Sequence, residues 1–565
     1  MTFHEIPYQR PDTDALTRDF EQAIEALENA GDKAAQKRAI EQANEVKAHY
    51  ETMSSLAFIR HSIDTRDDFY DAEKSFYDAF GPAFEQLNFR YYSALNSSRF
   101  REELEEEFGS ELFTIAEYRI KSFDEGIMDA MQEENKLGSE YSKLIASAAI
   151  EFDGQELNLS QLTPYMQSPD RSVRQAAAHA HWGWMAKHEA DFDRIYDRLT
   201  HLRHDMATTM GLDQFTELGY RRMQRSDYTP DMVAVFRQEV LEHIVPITLR
   251  LRERQAKRIG LEQMTFYDVP FQFPSGNPTP KGTPEEIVAH GQTMYDELSP
   301  ETGEFFRFMR DRQLMDLVAK AGKDSGGYCT YLQDHDAPFI FSNFNGTAHD
   351  VDVLTHEAGH AFQCYTSGRA FDIPEYTWST SDAAEIHSMS MEFFTWPWME
   401  LFFQEDTAKY RFKHLAGALT FLPYGVAVDE FQHAVYERPD MTPAERRATW
   451  RSIETKYLPD TNYDGFDYLE NGGRWHRQSH IFQMPFYYID YTLAQVCALQ
   501  YWTWMQRDRD AAWESYMTLC RAGGSRSFLG LVDLAGLRNP FEPGVLTEVA
   551  AQATAWLDEV DDRAF

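Results

Sequence analysis

Apolar positions recur at helical spacing along most of this chain, and turn-forming residues interrupt them at a few definite places. Residues 14–60 read as an acidic helical pair broken near Gly31 and Asp32. Residues 67–145 continue with Leu, Phe, Tyr and Ala at helical spacing among Glu and Lys, and residues 170–260 are helical again. Between them, Ile150 to Leu159 has the pattern of a short hairpin, with Asp153-Gly154 as its turn. Three helix starts are written as Thr-Pro pairs, at Thr229-Pro230, Thr283-Pro284 and Thr442-Pro443. Glu286 and Glu445 stand where the second and third of these would complete a capping box. The stretch 267–284 holds five prolines and predicts a loop, either a hinge or a channel wall. Residues 328–331 and 339–344 have β-propensity and partial alternation, which predicts a small sheet. An edge strand of such a sheet can bind an extended peptide through backbone hydrogen bonds. Apolar spacing over 14–145 is too irregular for a coiled-coil arm, and no fixed period suggests a solenoid.

Composition narrows the class. A hydrophobic content of 43% with 14% aromatic residues is enough for large cores, and no disordered linker divides the 565 residues. No apolar run of about 18 residues appears, so no membrane span is expected. The opening residues lack the basic and apolar parts of a signal peptide. Cys329, Cys364, Cys497 and Cys520 form no C-x-x-C pair, so free thiols in a cytoplasmic protein are expected. The net charge of −38 argues against nucleic acid and anionic membrane as partners. It favours solubility, with attraction of cationic peptides as a secondary consequence.

The chemistry gathers around His356-Glu357-Ala358-Gly359-His360. Imidazoles four residues apart on a helix share a face and can meet one metal ion, and the intervening Glu357 stands where a general base for an attacking water belongs. Thr347 to Asp350 suggests a capping box, and Val351, Val353, Leu354, Ala358, Ala361 and Phe362 make the helix apolar. Gly359 leaves room for another backbone or a substrate to approach. A catalytic zinc has three protein ligands and one open position. A third histidine six residues after His360 is excluded, because Thr366 stands there. Asp372, Glu375, Asp382, Glu385, His387 and Glu392 remain as candidates, with Glu385 best placed on a second helix starting between Ser379 and Asp382. Glu385 and Glu392 are seven apart and share a face, so one can ligate while the other orients a ligand histidine. Further on, His480, Tyr487, Tyr488 and Tyr491 are hydrogen-bond donors suited to a developing oxyanion, and phenols stay neutral at pH 7. His476 and His480 are also four apart, but no acidic residue lies between them, which favours an active-site loop over a second metal site.

Five ordered motifs together resemble one family. They are Gly326 to Cys329, Pro338 to Thr347, His356 to Gln363, Glu385 to Met389 and His480 to Tyr491. The set is similar to the thimet oligopeptidase and oligoendopeptidase F group of zinc metallopeptidases, and most of all to the Pz-peptidase type. The resemblance implies a mainly α, multi-helix fold with a small β-sheet beside the zinc helix and a deep channel between two lobes. Residues 1–195 would roof the channel and residues 196–565 would form the catalytic lobe, the two interleaved in space. It implies one Zn²⁺ per chain on His356, His360 and Glu385, the last 25 residues beyond the second histidine. Glu357 would be the base and Glu392 would orient the ligands. His480, Tyr488 and Tyr491 would stabilise the oxyanion, with Tyr487 left as an alternative to Tyr488. Phe341, Asn343 and Tyr487 are expected to contact the substrate, an unfolded oligopeptide cleaved internally. Two rivals stand beside this: removal of C-terminal dipeptides, for which Arg474 or Arg477 would bind the carboxylate, and a helical zinc- or peptide-binding protein whose site is closed by His387. The oligomeric state is left open.

Overall fold

The computed structural model describes residues 1–565, mostly in helices. The punctuation predicted from the sequence sets their ends. The acidic pair spans Thr13–Glu28 and Lys33–Ile63, and the Asp12 and Asp32 carboxylates accept the first free N–H groups of each. Thr229, Thr283 and Thr442 cap the helices Pro230–Glu239, Pro284–Leu298 and Pro443–Tyr457, and the two capping boxes form. Strands β1 (Ile150–Phe152) and β2 (Gln155–Leu157) pair antiparallel, with Asp153 and Gly154 at φ of 51° and 72°, as a two-residue turn of that hand requires. No helix is long and apolar enough to cross a membrane.

The proline-rich stretch does not line the main cleft. Gln255 donates to the Val269 and Phe271 carbonyls, and Asn277 holds the Gln272 N–H and the Pro270 carbonyl. These bonds pin the loop over the helix Val245–Arg258, away from the main cleft.

A second sheet has the order β3-β5-β4 and comprises Met315–Val318, Ala337–Phe344 and Tyr328–Leu332. β3 runs parallel to β5 and β4 runs antiparallel. The apolar run Phe339 to Phe344 therefore forms the central strand, buried on both faces, and the free edge beside the cleft belongs to β4.

Three helices carry most of the predicted chemistry. The histidine helix is His349–Ser367, the glutamate helix Ser381–Phe394 and the tyrosine helix Tyr488–Met505. The histidine helix does not start with the expected capping box. Ala348 is the cap, Thr347 turns its hydroxyl to Asn345 Oδ1, and Asp350 accepts the N–H groups of Asn345 and Gly346 at 2.8 Å each. Asp350 thus ties the helix start to the end of β5. Asp490 ties the tyrosine helix to the glutamate helix, accepting from Ser381 Oγ at 2.7 Å and Arg225 at 2.6 Å. The loop joining the histidine and glutamate helices is gripped by the N-terminal helices: Lys47 and Tyr92 both reach Glu375, at 2.5 and 2.9 Å. One apolar core runs from Phe3 to Leu557, with a small satellite under the hairpin around Ile150, Leu157 and Leu162.

Gly359 lets the histidine and glutamate helices touch. A Cβ there would lie 2.7 Å from both the His387 carbonyl oxygen and Ser388 Cα, which are backbone atoms that cannot swing aside. Gly359→Ala is predicted to destabilise the protein by about 1–3 kcal/mol. Gly417→Ala, on the helix Thr407–Glu437 with open space at the Cβ, should be neutral or stabilising by up to about 1 kcal/mol. Denaturant midpoints check both, and equal midpoints for the two variants would contradict the steric account.

Candidate active site

The H-E-x-x-H spacing puts both imidazoles on the face of the histidine helix that meets the glutamate helix. Glu385 Oε2 lies 3.1 Å from His356 Nε2 and 3.4 Å from His360 Nε2. One donor atom from each of His356, His360 and Glu385 falls within 4.8 Å of the others. Two imidazole nitrogens and a carboxylate oxygen are a donor set that suits a zinc-like ion with one position left open. Two carboxylates bracket His356, since its Nδ1 meets Glu392 Oε1 at 2.7 Å while its Nε2 faces Glu385. Glu385 is itself held by Tyr487 Oη at 2.5 Å and Ser388 Oγ at 2.8 Å.

Glu357 projects beside this group. Its residue is only 5% exposed, and its Oε2 has no hydrogen-bond partner. A Cβ on Gly327 would lie 3.2 Å from Glu357 Oε1 and 3.3 Å from the Phe341 carbonyl, so the glycine preceding β4 keeps the carboxylate clear. These groups open into a cleft of about 1110 Å³ that also takes in the β4 residues Tyr328, Cys329 and Thr330. His480, Tyr487, Tyr488 and Tyr491 line the same cleft.

The hydrogen bonds among these last residues separate their capacities. Gln478 Nε2 donates to His480 Nδ1 at 2.8 Å, which leaves the other ring nitrogen protonated and facing Tyr491 Oη at 3.1 Å. Tyr491 thereby accepts from His480, and its own proton stays free to point into the cleft. Tyr488 packs edge-on against Tyr424 and shares the cleft wall with Tyr491. Tyr487 differs, because its hydroxyl is spent on Glu385.

Residues 3–123 match the peptidase M3 N-terminal domain, and residues 297–551 match peptidase family M3. A solved structure assigned provisionally as an oligoendopeptidase F is 56% identical over the full length of both chains, with a TM-score of 0.99. The structure of Pz peptidase A with an inhibitor is 53% identical, covers 99% of this chain and 100% of its own, and also has a TM-score of 0.99. The chain belongs to peptidase family M3. Among curated relatives, an oligoendopeptidase F homolog of Borreliella burgdorferi is 25% identical over 233 residues, a match covering 40% of this chain and 38% of that relative.

Several expectations about this M3 peptidase need amending. Phe341 is fully buried on the central strand, stacked on Tyr328 at 4.7 Å with Lys323 Nζ at 4.4 Å on its ring, and its side chain does not reach the cleft. Asn343 spends its amide on the Asp324 and Gly326 carbonyls at 2.8 Å each. His387 is buried edge-on against Tyr516 and stands outside the three-donor group. His476 is also buried, against Tyr468 and Asp193. Sequence reasoning missed His414, whose Nε2 meets Glu392 Oε2 at 2.7 Å and whose Nδ1 accepts from Trp396 Nε1 at 3.2 Å. It comes from the long helix Thr407–Glu437, and no motif marks it.

The electrostatics of this group favour positive charge among the three donors. Burial would raise Glu385, but His360 and His356 hold it well below the usual carboxylate range. Burial likewise opposes ionisation of Glu392, yet hydrogen bonds from His356 and His414 hold it down at about 2. Burial should lower His356, and the two carboxylates override it and raise it well above its ordinary value. Two anions around two imidazoles thus demand positive charge, which a proton or a metal ion can supply. Burial pushes the Glu357 carboxyl up and lowers His480 to about 4, so His480 stays neutral at pH 7. Because Glu392 braces His356, Glu392→Ala is predicted to weaken any metal binding at the three-donor group by about 10–100-fold while leaving the fold intact. Chelator competition measures it, and unchanged affinity would remove Glu392 from the site.

Proposed function

We propose that the protein is a zinc-dependent oligoendopeptidase that cleaves internal bonds of short, unfolded peptides. The observation that carries this is the unpartnered Glu357 carboxylate beside a three-donor group, inside a cleft bordered by a free strand edge. A structural metal site has no use for a buried base, and the cost of burying one is otherwise unexplained. In this reading His356, His360 and Glu385 hold Zn²⁺, while Glu392, with His414 behind it, fixes the His356 ring. When bound, the ion supplies Lewis acidity, polarising the scissile carbonyl and acidifying water at neutral pH.

The remaining steps belong to side chains. Glu357 takes a proton from the attacking water and later delivers it to the leaving amine nitrogen, and its raised pKa suits both transfers. Tyr488 and Tyr491 donate their hydroxyl protons to the carbonyl oxygen as it gains charge, with His480 orienting Tyr491. Tyr487 holds Glu385, so of the two alternatives Tyr488 is the better oxyanion donor. An extended substrate would pair with the free edge of β4 through its backbone, with little dependence on side chains. Residues 1–195 would roof the channel, a role supported by Phe58, Tyr141 and Ser142 facing the same cleft as the catalytic residues. The four free cysteines are in keeping with a reducing, cytoplasmic setting.

The dipeptide-removing alternative lacks its anchor. Arg474 pairs with Glu454 at 3.1 Å, Arg477 lies over Trp182 and Tyr424, and neither lines the cleft. Glu357→Gln is the decisive variant. It should retain stoichiometric zinc and lose about 10²–10⁴-fold in kcat. Near-normal turnover by the zinc-loaded variant would falsify the role of Glu357.

A further inference from the structure

A second cavity, of about 350 Å³, opens beside the main cleft and shares Phe58, Ser142, Asp324, Gln483 and Met484 with it. Its charged groups are almost all satisfied internally. Arg203 and Arg222 both bind Glu134, at 2.7 and 2.9 Å, and Lys74 binds Asp78. His61 faces Asp71 at 3.3 Å. Asp324 is the exception. Its carboxylate accepts from the Ser325 N–H at 2.8 Å and forms no ion pair, since the neighbouring Lys74 is engaged by Asp78 and Ser139. The adjacent Lys323 is turned away and fully engaged by Asp316 and the Val318 and Ser342 carbonyls. Burial pushes the Asp324 carboxyl up to about 6, against the opposing pull of the Ser325 N–H and the more distant Lys74 ammonium.

The residue is also held in place. Its N–H donates to the Ser62 carbonyl at 2.8 Å, and its own carbonyl accepts from Asn343 Nδ2 at 2.8 Å. Asn343 therefore acts at one remove from any ligand, by positioning this loop. Gly327, against Glu357, is three residues further on. Three residues of chain reach at most about 11 Å, and an extended peptide covers that distance in about three residues.

Resting on the peptidase reading, we infer that Asp324 is a specificity-determining residue that binds an ammonium or guanidinium group of the substrate within about three residues of the scissile bond. The cation is either the free N-terminus of the peptide or a Lys or Arg side chain. Both offer the same charge-assisted hydrogen bonds to a preorganised carboxylate. The strongly acidic chain would also draw cationic peptides toward this cleft.

The test uses zinc-loaded, full-length protein and internally quenched peptides of one neutral core sequence. One series carries Lys or Gln at each of the three positions on either side of the cleaved bond, with both ends blocked. A second compares free and acetylated N-termini placed at the same distances. The wild-type protein should favour the cationic member of at least one pair by about tenfold in kcat/KM, mainly through KM. Asp324→Asn should bring that ratio close to one, and Asp324→Lys should invert it in favour of Glu at the same position. A preference that vanishes on acetylation assigns the N-terminus, and one that persists with Lys assigns the side chain. A wild-type ratio near one at every position overturns the inference without any variant, as does a ratio that survives Asp324→Asn. Failure to cleave the neutral, blocked core at all would instead defeat the endopeptidase reading, so the two failures are distinguishable.

Discussion

Contact between two helix backbones governs the rest of this structure. Gly359 has no Cβ, so the histidine helix lies directly against the His387 carbonyl and Ser388 Cα of the glutamate helix. At that separation the Glu385 carboxylate sits between two imidazoles that helical spacing had already placed on one face. A Cβ at 359 would press on both backbone atoms, so the glycine is what allows the third donor its close approach to the histidines. The surrounding structure is bracing for this contact. Asp350 anchors one helix to the sheet, Asp490 anchors the other to the tyrosine helix, and Lys47 and Tyr92 hold the loop between them through Glu375.

Charge is then arranged in shells around the donors. Glu385 and Glu392 stay ionised because imidazoles face them, although burial alone would neutralise both. At Glu357 burial outweighs the pull of the nearby imidazoles and raises the carboxyl. Neighbouring carboxylates on two helices are thereby held in different states, two as partners of imidazoles and one that, in the proposed mechanism, exchanges a proton. In the same cleft, the hydroxyls of Tyr487 and Tyr491 are likewise divided by their partners rather than by residue type. Tyr487 spends its proton on Glu385, while Tyr491 accepts from His480 and keeps its own.

Much of this was legible in the sequence because it is local. Helix starts at Thr283 and Thr442, the Asp153-Gly154 turn and the shared face of His356 and His360 each depend on residues a few positions apart. Ordered motifs carried the longer-range pairing of Glu385 with the histidines. What escaped depends on tertiary neighbours that no spacing encodes. His414 reaches Glu392 from a helix that local pattern marks as ordinary core. Phe341 and Asn343 looked available to substrate because their strand sits beside the site, yet β4 lies outside it and takes the free edge. Asp350 was legible as a helix-start residue, but its bonds run back to Asn345 and Gly346 instead of forming a capping box.

The most direct test of the account is cleavage of an internally quenched peptide blocked at both ends, measured before chelation, after chelation and after Zn²⁺ is restored. The account predicts internal cleavage that is lost with the metal and returns with about one equivalent of zinc per chain. Undiminished cleavage by thoroughly chelated protein, or none by zinc-loaded protein across varied peptides, would contradict it.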